Sequence, residues 1–147
     1  MSRIILLDAG PLGLLVHPRE GARIQPWLLG LLQAGTGVRV PEITDYEVRR
    51  ELLRLNKQKS VDRLDLLRAT IGYVPLTTAT MLRAAEFWAQ VRKLGRPTAD
   101  NKALDGDVIL AAQAALLAER GDEVIVATTN VGHPTRFVDA REWQGIV

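Results

Sequence analysis

The sequence has no cysteine and only two histidines among its 147 residues. The first absence excludes disulfides, thiolate zinc sites and a cysteine nucleophile, and is compatible with a reducing compartment. The two histidines, His17 and His133, stand far apart with no partner at metal-ligand spacing, so a bound metal would have to use oxygen ligands or these two. The serines are Ser2 and Ser60 alone, and no Gly-x-Ser-x-Gly elbow occurs, which removes the serine-hydrolase reading. Neither Gly-x-Gly-x-x-Gly nor a Gly-Lys-Ser/Thr loop is found, so a Rossmann or P-loop nucleotide binder fails as well. No apolar run approaches the roughly 18 residues of a membrane helix. The opening MSRIILLDAG puts an acid where a signal peptide would continue its apolar stretch. A soluble, cytoplasmic protein is expected.

What is present is an ordinary globular composition. Hydrophobic residues make up 47% and charged residues 24%, which is enough apolar material to close a core without help. The length suits a single domain spanning 1–147. The run RIILL at 3–7 is too short for a helix and reads as a buried strand, stopped by Asp8, Gly10 and Pro11. GPLGLLV then starts a short helix that His17-Pro18 ends. A helix over 22–34, a strand at 38–41, and helices over 44–57 and 61–70 follow, with Thr44 as N-cap of the third helix and Tyr46, Leu53, Val48 and Leu52 as its inward candidates. A third strand lies at 72–76, and the next helix, 78–94, offers Leu82, Ala85, Phe87, Trp88 and Val91 as apolar positions. GRPTADNKA at 95–103 reads as a surface loop, 105–119 as a helix, EVIVATT at 123–129 as the clearest strand, and RFVDA as a last one. Strands alternating with helices imply an α/β domain of three layers around a central, mostly parallel sheet.

In such sheets ligands gather beyond the carboxyl ends of the strands. Three acids fall there. Asp8 closes the first strand; Glu47 lies one turn into the helix after the second; Asp107 opens the apolar helix DVILAA, two residues after Asp105. Each has an ordinary alternative. Asp8 could cap the following helix, Glu47 could serve the helix dipole while Glu42, Asp45 and Glu51 compete for its role, and Asp105 and Asp107 could be N-cap and first-turn residues. Carboxylates brought together raise one another's pKa unless a cation neutralises them, so the set points to a bound ion, and oxygen-only ligation favours magnesium or manganese.

Four stretches carry a family resemblance: IILLDAGPL, ITDYEV, DVILAA and VIVATTNVGHPTRF, in that order over residues 4–137. With these the chain resembles the PIN domain, and within it the VapC-like toxin ribonucleases of bacterial toxin–antitoxin pairs. The resemblance implies a metal-dependent ribonuclease with Asp8, Glu47 and Asp107 as catalytic, metal-binding acids and Mg2+ or Mn2+ as cofactor. It also implies RNA as substrate, an antitoxin partner and a homodimer. The fourth position, often an acid in that family, is Asn130, which contributes no charge; Asp105 is the candidate replacement, and Thr128, Thr129 and Asn130 are candidate substrate contacts. The resemblance also leaves open a PIN-like module that binds RNA or protein without cutting, and a solitary RNA-processing nuclease. A phosphatase with a nucleophilic aspartate would need Asp-x-Asp, whereas Ala9 and Gly10 follow Asp8.

Two basic segments could line a phosphate rim: Arg49, Arg50, Arg54, Lys57 and Lys59, and separately Arg92, Lys93, Arg96 and Lys102. Either could equally be a solvated helix face interleaved with acids. His133, in the loop after Asn130, could contact substrate, while Trp27, Trp88 and Trp143 read as core or dimer-face residues.

Overall fold

Short apolar runs become strands because their side chains can be covered on both faces only in the middle of a sheet. In the computed structural model, which describes residues 2–94, 101–131 and 137–147 (101–103 by backbone alone), these are β1 (Arg3–Leu7), β2 (Gly37–Pro41), β3 (Tyr73–Val74), β4 (Glu123–Thr128) and β5 (Ala140–Glu142). Their order is β3-β2-β1-β4-β5 with every pairing parallel. The helices are α1 (Ala9–Val16), α2 (Gly21–Gln33), α3 (Glu42–Arg54), α4 (Gln58–Ile71), α5 (Thr78–Lys93) and α6 (Asn101–Ala118), and a 3-10 turn at Trp143–Gly145 closes the chain.

Alternation along the central strand assigns the layers. Ile5 and Leu7 face one side and pack with Leu12, Ile24, Leu28 and Leu64 from α1, α2 and α4. Leu6 faces the other and packs with Leu110 and Ala114 of α6. α5 forms an outer cover on α6 through Ala84, Phe87 and Val91. Ile5, Leu6 and Leu7 are fully buried, each contributing about 1.5–3 kcal/mol, so β1 is a rigid base for whatever follows Leu7. The layered α/β/α architecture expected from the sequence is the one formed.

Several boundaries differ. α3 begins at Glu42, with Pro41 as N-cap, so Thr44 lies inside the first turn and is fully buried. The inward side of α3 is Ile43, Thr44, Asp45 and Val48, while Tyr46 and Leu53 point to solvent. On α5, Ala84, Phe87 and Val91 are buried, whereas Leu82, Ala85 and Trp88 are exposed. β3 is only two residues long, and the last strand is Ala140–Glu142 rather than RFVDA. α6 starts four residues before Asp105, so residues 101–103 of the expected loop are helical backbone and 95–100 lie outside the described residues.

Candidate metal centre

All five strands being parallel, their carboxyl ends share one edge, and the segments leaving β1, β2 and β4 meet there. Asp8, the first residue beyond β1, caps α1: its Oδ1 accepts the Ala9 amide at 2.7 Å. Its Oδ2 accepts the Thr128 hydroxyl at 2.8 Å, across from the end of β4. Both carboxylate oxygens are thus fixed. Capping, the alternative role for Asp8, is real, and it orients the carboxylate at the edge.

Glu47 lies in the second turn of α3 and is partly buried. Its carboxyl is pushed up to about 6, first by burial and then by the negative charges of Asp8 and Asp107, against a lowering by Arg50. Three acids from distant parts of the chain therefore feel one another. Gly106, on α6 immediately before Asp107, explains how the α3 carboxylate fits: a Cβ there would stand 2.9 Å from Glu47 Oε2 and 3.0 Å from Oε1. A glycine inside a helix costs about 1 kcal/mol relative to alanine, so its presence in the second turn of α6 needs such a reason. That misplaced glycine was the sequence signal available for this contact. Asp107 also loses its competing explanation, since with α6 starting at Asn101 it is neither a cap nor a first-turn residue.

The other candidates separate. Asp105 is exposed and lines a hollow with Met81, Trp88 and Val108 between α5 and α6. At about 100° per residue it sits roughly 200° around the helix from Asp107, so it does not share the acids' face. Thr128 is buried, and its hydroxyl accepts the Asn130 amide at 3.0 Å while donating toward Asp8. Thr129 and Asn130 are exposed at the edge, and Thr129 packs so tightly over Gly10 that a Cβ at position 10 would come within 2.2 Å of its Oγ1. His133 lies outside the described residues. His17 is a capping residue, its Nδ1 accepting the amides of Arg19 and Glu20. Trp27 and Trp143 meet edge to face at 5.5 Å and are structural, whereas Trp88 is exposed beneath the Arg92 guanidinium.

The first basic segment also divides. Arg49 is held by buried Asp45 at 2.8 Å and by Asp65 at 2.7 Å, tying α3 to α4. It belongs to the scaffold. Arg50 lies over the Tyr46 ring at the surface. Arg54 pairs with Glu51, and Lys57 and Lys59 are exposed.

Among the described residues no three acidic, imidazole or thiol groups already converge as a ready-made ion cage. Asp8, Glu47 and Asp107 are close enough to repel, partly accessible, and carry only hard oxygen donors. Such oxygen donors would suit a magnesium- or manganese-class ion and not a softer metal.

No protein-family model matches the sequence, and no curated protein matches it detectably. Solved structures do. VapBC-1 from nontypeable Haemophilus influenzae aligns at a TM-score of 0.69 and 19% identity over 96% of this chain and 98% of that one. VapBC2 from Rickettsia felis, bound to a DNA fragment from their promoter, aligns at 0.72 and 15% identity over 95% and 98%. FitAcB from Neisseria gonorrhoeae aligns at 0.68 and 23% identity over 97% and 99%. The matches are end to end, so the PIN-like three-layer fold expected from the sequence is the fold of this chain.

Proposed function

We propose, from a fold held in common with VapBC and FitAcB chains, that this protein is a metal-dependent ribonuclease acting as the toxin of a toxin–antitoxin pair. The observation that carries the reading is the electrostatic coupling of Glu47 to Asp8 and Asp107, which together with burial raises the Glu47 carboxyl to about 6. An uncompensated acid cluster is costly to fold, and the cost is recovered when a cation binds. Asp8, Glu47 and Asp107 would hold magnesium or manganese, which supplies a lowered water pKa and charge neutralisation at a phosphodiester. Asp8 is pre-oriented by Ala9 and Thr128, so little reorganisation is needed there. Thr129 and Asn130 stand exposed at the same edge and would contact substrate there. With Asn130 in place of a fourth acid and Asp105 on the other side of α6, one ion is the expected stoichiometry.

A partner protein is favoured by a separate observation. Leu28, Leu29 and Leu32 of α2 and Leu66 of α4 border an apolar groove of about 460 Å³. Leu29 and Leu66 are well exposed there, and contiguous apolar surface of this kind marks interaction sites. An antitoxin segment covering the acid edge with a cationic side chain, and a homodimer, complete the reading.

The test is cleavage of single-stranded and structured RNAs by purified protein with Mg2+, with Mn2+ and with EDTA. Cleavage should need the ion and should fall at least a hundredfold in Asp107→Asn; unchanged activity in that variant sinks the proposed centre. Gly106→Ala separates site from scaffold. Alanine favours the helix by about 1 kcal/mol, yet its methyl would displace the Glu47 carboxylate. We expect a melting temperature equal to or above wild type together with at least tenfold slower cleavage, read by thermal denaturation and an RNA time course.

A further inference from the structure

The second half of the basic segment leads away from the acids in an ordered way. Glu47, Arg50 and Arg54 are spaced i, i+3 and i+7, which puts them on one stripe of α3, and Lys57 follows in the turn after it. The stripe leaves the helix at Arg54, about 10 Å from Glu47 at 1.5 Å per residue, and the chain turns there into the N-terminus of α4. There Asn56, whose φ of 56° makes the turn, joins Pro18, Lys57, Lys59, Ser60 and Arg63 around an open hollow of about 560 Å³.

Three features of this hollow point to an anion. The first turn of α4 has no side-chain cap and no acidic residue, and its first intrahelical bond is Val61 to Lys57, so the preceding amides have no acceptor within the helix. Lys57, Lys59 and Arg63 form no ion pair among the described residues. Independently, Ser60 is only 4% exposed, lines the hollow, and its hydroxyl has no hydrogen-bond partner among the described residues. The hydroxyl is not among the sealed, unpartnered atoms of the core, so it is reached from the hollow, where a ligand oxygen can accept its proton. The nearest carboxylate on α4, Asp62, is taken by the Gln58 amide at 2.9 Å.

We propose that this hollow is a phosphate subsite for the RNA backbone, seating a phosphodiester a few nucleotides from the bond at the acid edge, with the Arg50 and Arg54 stripe and Lys57 carrying the strand between them. The assignment rests on the ribonuclease reading for its substrate. The stripe, which starts at a proposed catalytic acid, favours nucleic acid over an acidic protein segment.

The experiment uses full-length protein carrying Asp8→Asn, so that RNA is held uncut, and measures anisotropy of a labelled single-stranded RNA dodecamer and trimer over a range of salt. Lys57→Gln with Lys59→Gln should weaken dodecamer binding about tenfold, and Ser60→Ala about threefold. The slope of log affinity against log salt should become shallower by about 1.4, at about 0.7 per lost phosphate contact to a single strand. The trimer is too short to span both sites, so the ratio of trimer to dodecamer Kd should collapse toward one. Arg120→Gln, on the far side of the fold, is the charge control. Dodecamer affinity and salt slope equal to that control overturn the subsite, as does loss of an acidic protein partner while RNA binding is unmoved. If the wild-type chain cuts no RNA with any divalent ion but the dodecamer still senses Lys57 and Ser60, the subsite stands and the nuclease reading falls. If RNA is cut and the dodecamer ignores both residues, the subsite falls alone.

Discussion

Asp8→Asn is expected to lower RNA cleavage by about 10³-fold, a loss of about 4 kcal/mol in transition-state stabilisation, while the fold stays intact. The two halves of that expectation come from different atoms. Asparagine keeps one carbonyl oxygen, which can still accept the Ala9 amide and cap α1. The Thr128 hydroxyl would meet an amide in place of Oδ2, but it has a second acceptor in hand, the Asn130 carbonyl at 3.1 Å. It can turn to donate there and accept from the new amide, so no buried group is left unsatisfied. What asparagine cannot restore is the negative charge at the end of β1. Metal affinity and charge neutralisation should both drop. Thermal melts, the Mg2+ dependence of the melt and single-turnover cleavage check the three parts separately; full activity with an unchanged metal response would place the chemistry elsewhere.

Asp8 is readable from sequence because its placement is local: an apolar run too short for a helix has to end at a sheet edge, and the residue after it stands at that edge. The inward face of α3 is not. Tyr46 and Leu53 looked like the apolar side, but the buried positions are taken partly by Thr44 and Asp45. Asp45 is tolerated there because Arg49 and Arg68 reach it, an arrangement made by α4 and invisible to periodicity. The start of α6 is hidden in the sequence for a related reason. Asp-Gly-Asp reads as a helix boundary, yet Gly106 lies inside the helix to leave room for Glu47 from α3. At both places residue identity is set by a partner distant in sequence, and the second lies at the candidate site itself. The basic segment needed the same information. Only the packed structure separates Arg49, committed to Asp45 and Asp65, and Arg54, paired with Glu51, from the exposed Lys57 and Lys59.

Glu47→Gln should change stability and activity in opposite directions, and the pH dependence of the first identifies its cause. The carboxyl is raised from 4.5 to about 6, so the folded chain holds that proton more tightly than the unfolded chain does. The resulting stabilisation is fully present below pH 4.5 and is lost as pH rises through about 6, leaving the ionised group a net burden at neutral pH. A shift of this size corresponds to about 2 kcal/mol in full; because the side chain is partly open to solvent, about 1 kcal/mol is the realistic share. Glutamine removes the charge, so metal-free Glu47→Gln should unfold at a higher temperature than metal-free wild type at pH 7.5, with the gap closing toward pH 4.5. Adding Mg2+ should raise the wild-type melting temperature, since an ion that binds only the folded chain stabilises it by mass action, and should do so much less in the variant. Cleavage by the variant should fall at least a hundredfold. A variant less stable than wild type at pH 7.5, or a gap independent of pH, would remove the electrostatic tension from which the metal centre is inferred. If the opposed changes are found, the strain at this edge is the part of the fold's stability given over to holding an ion.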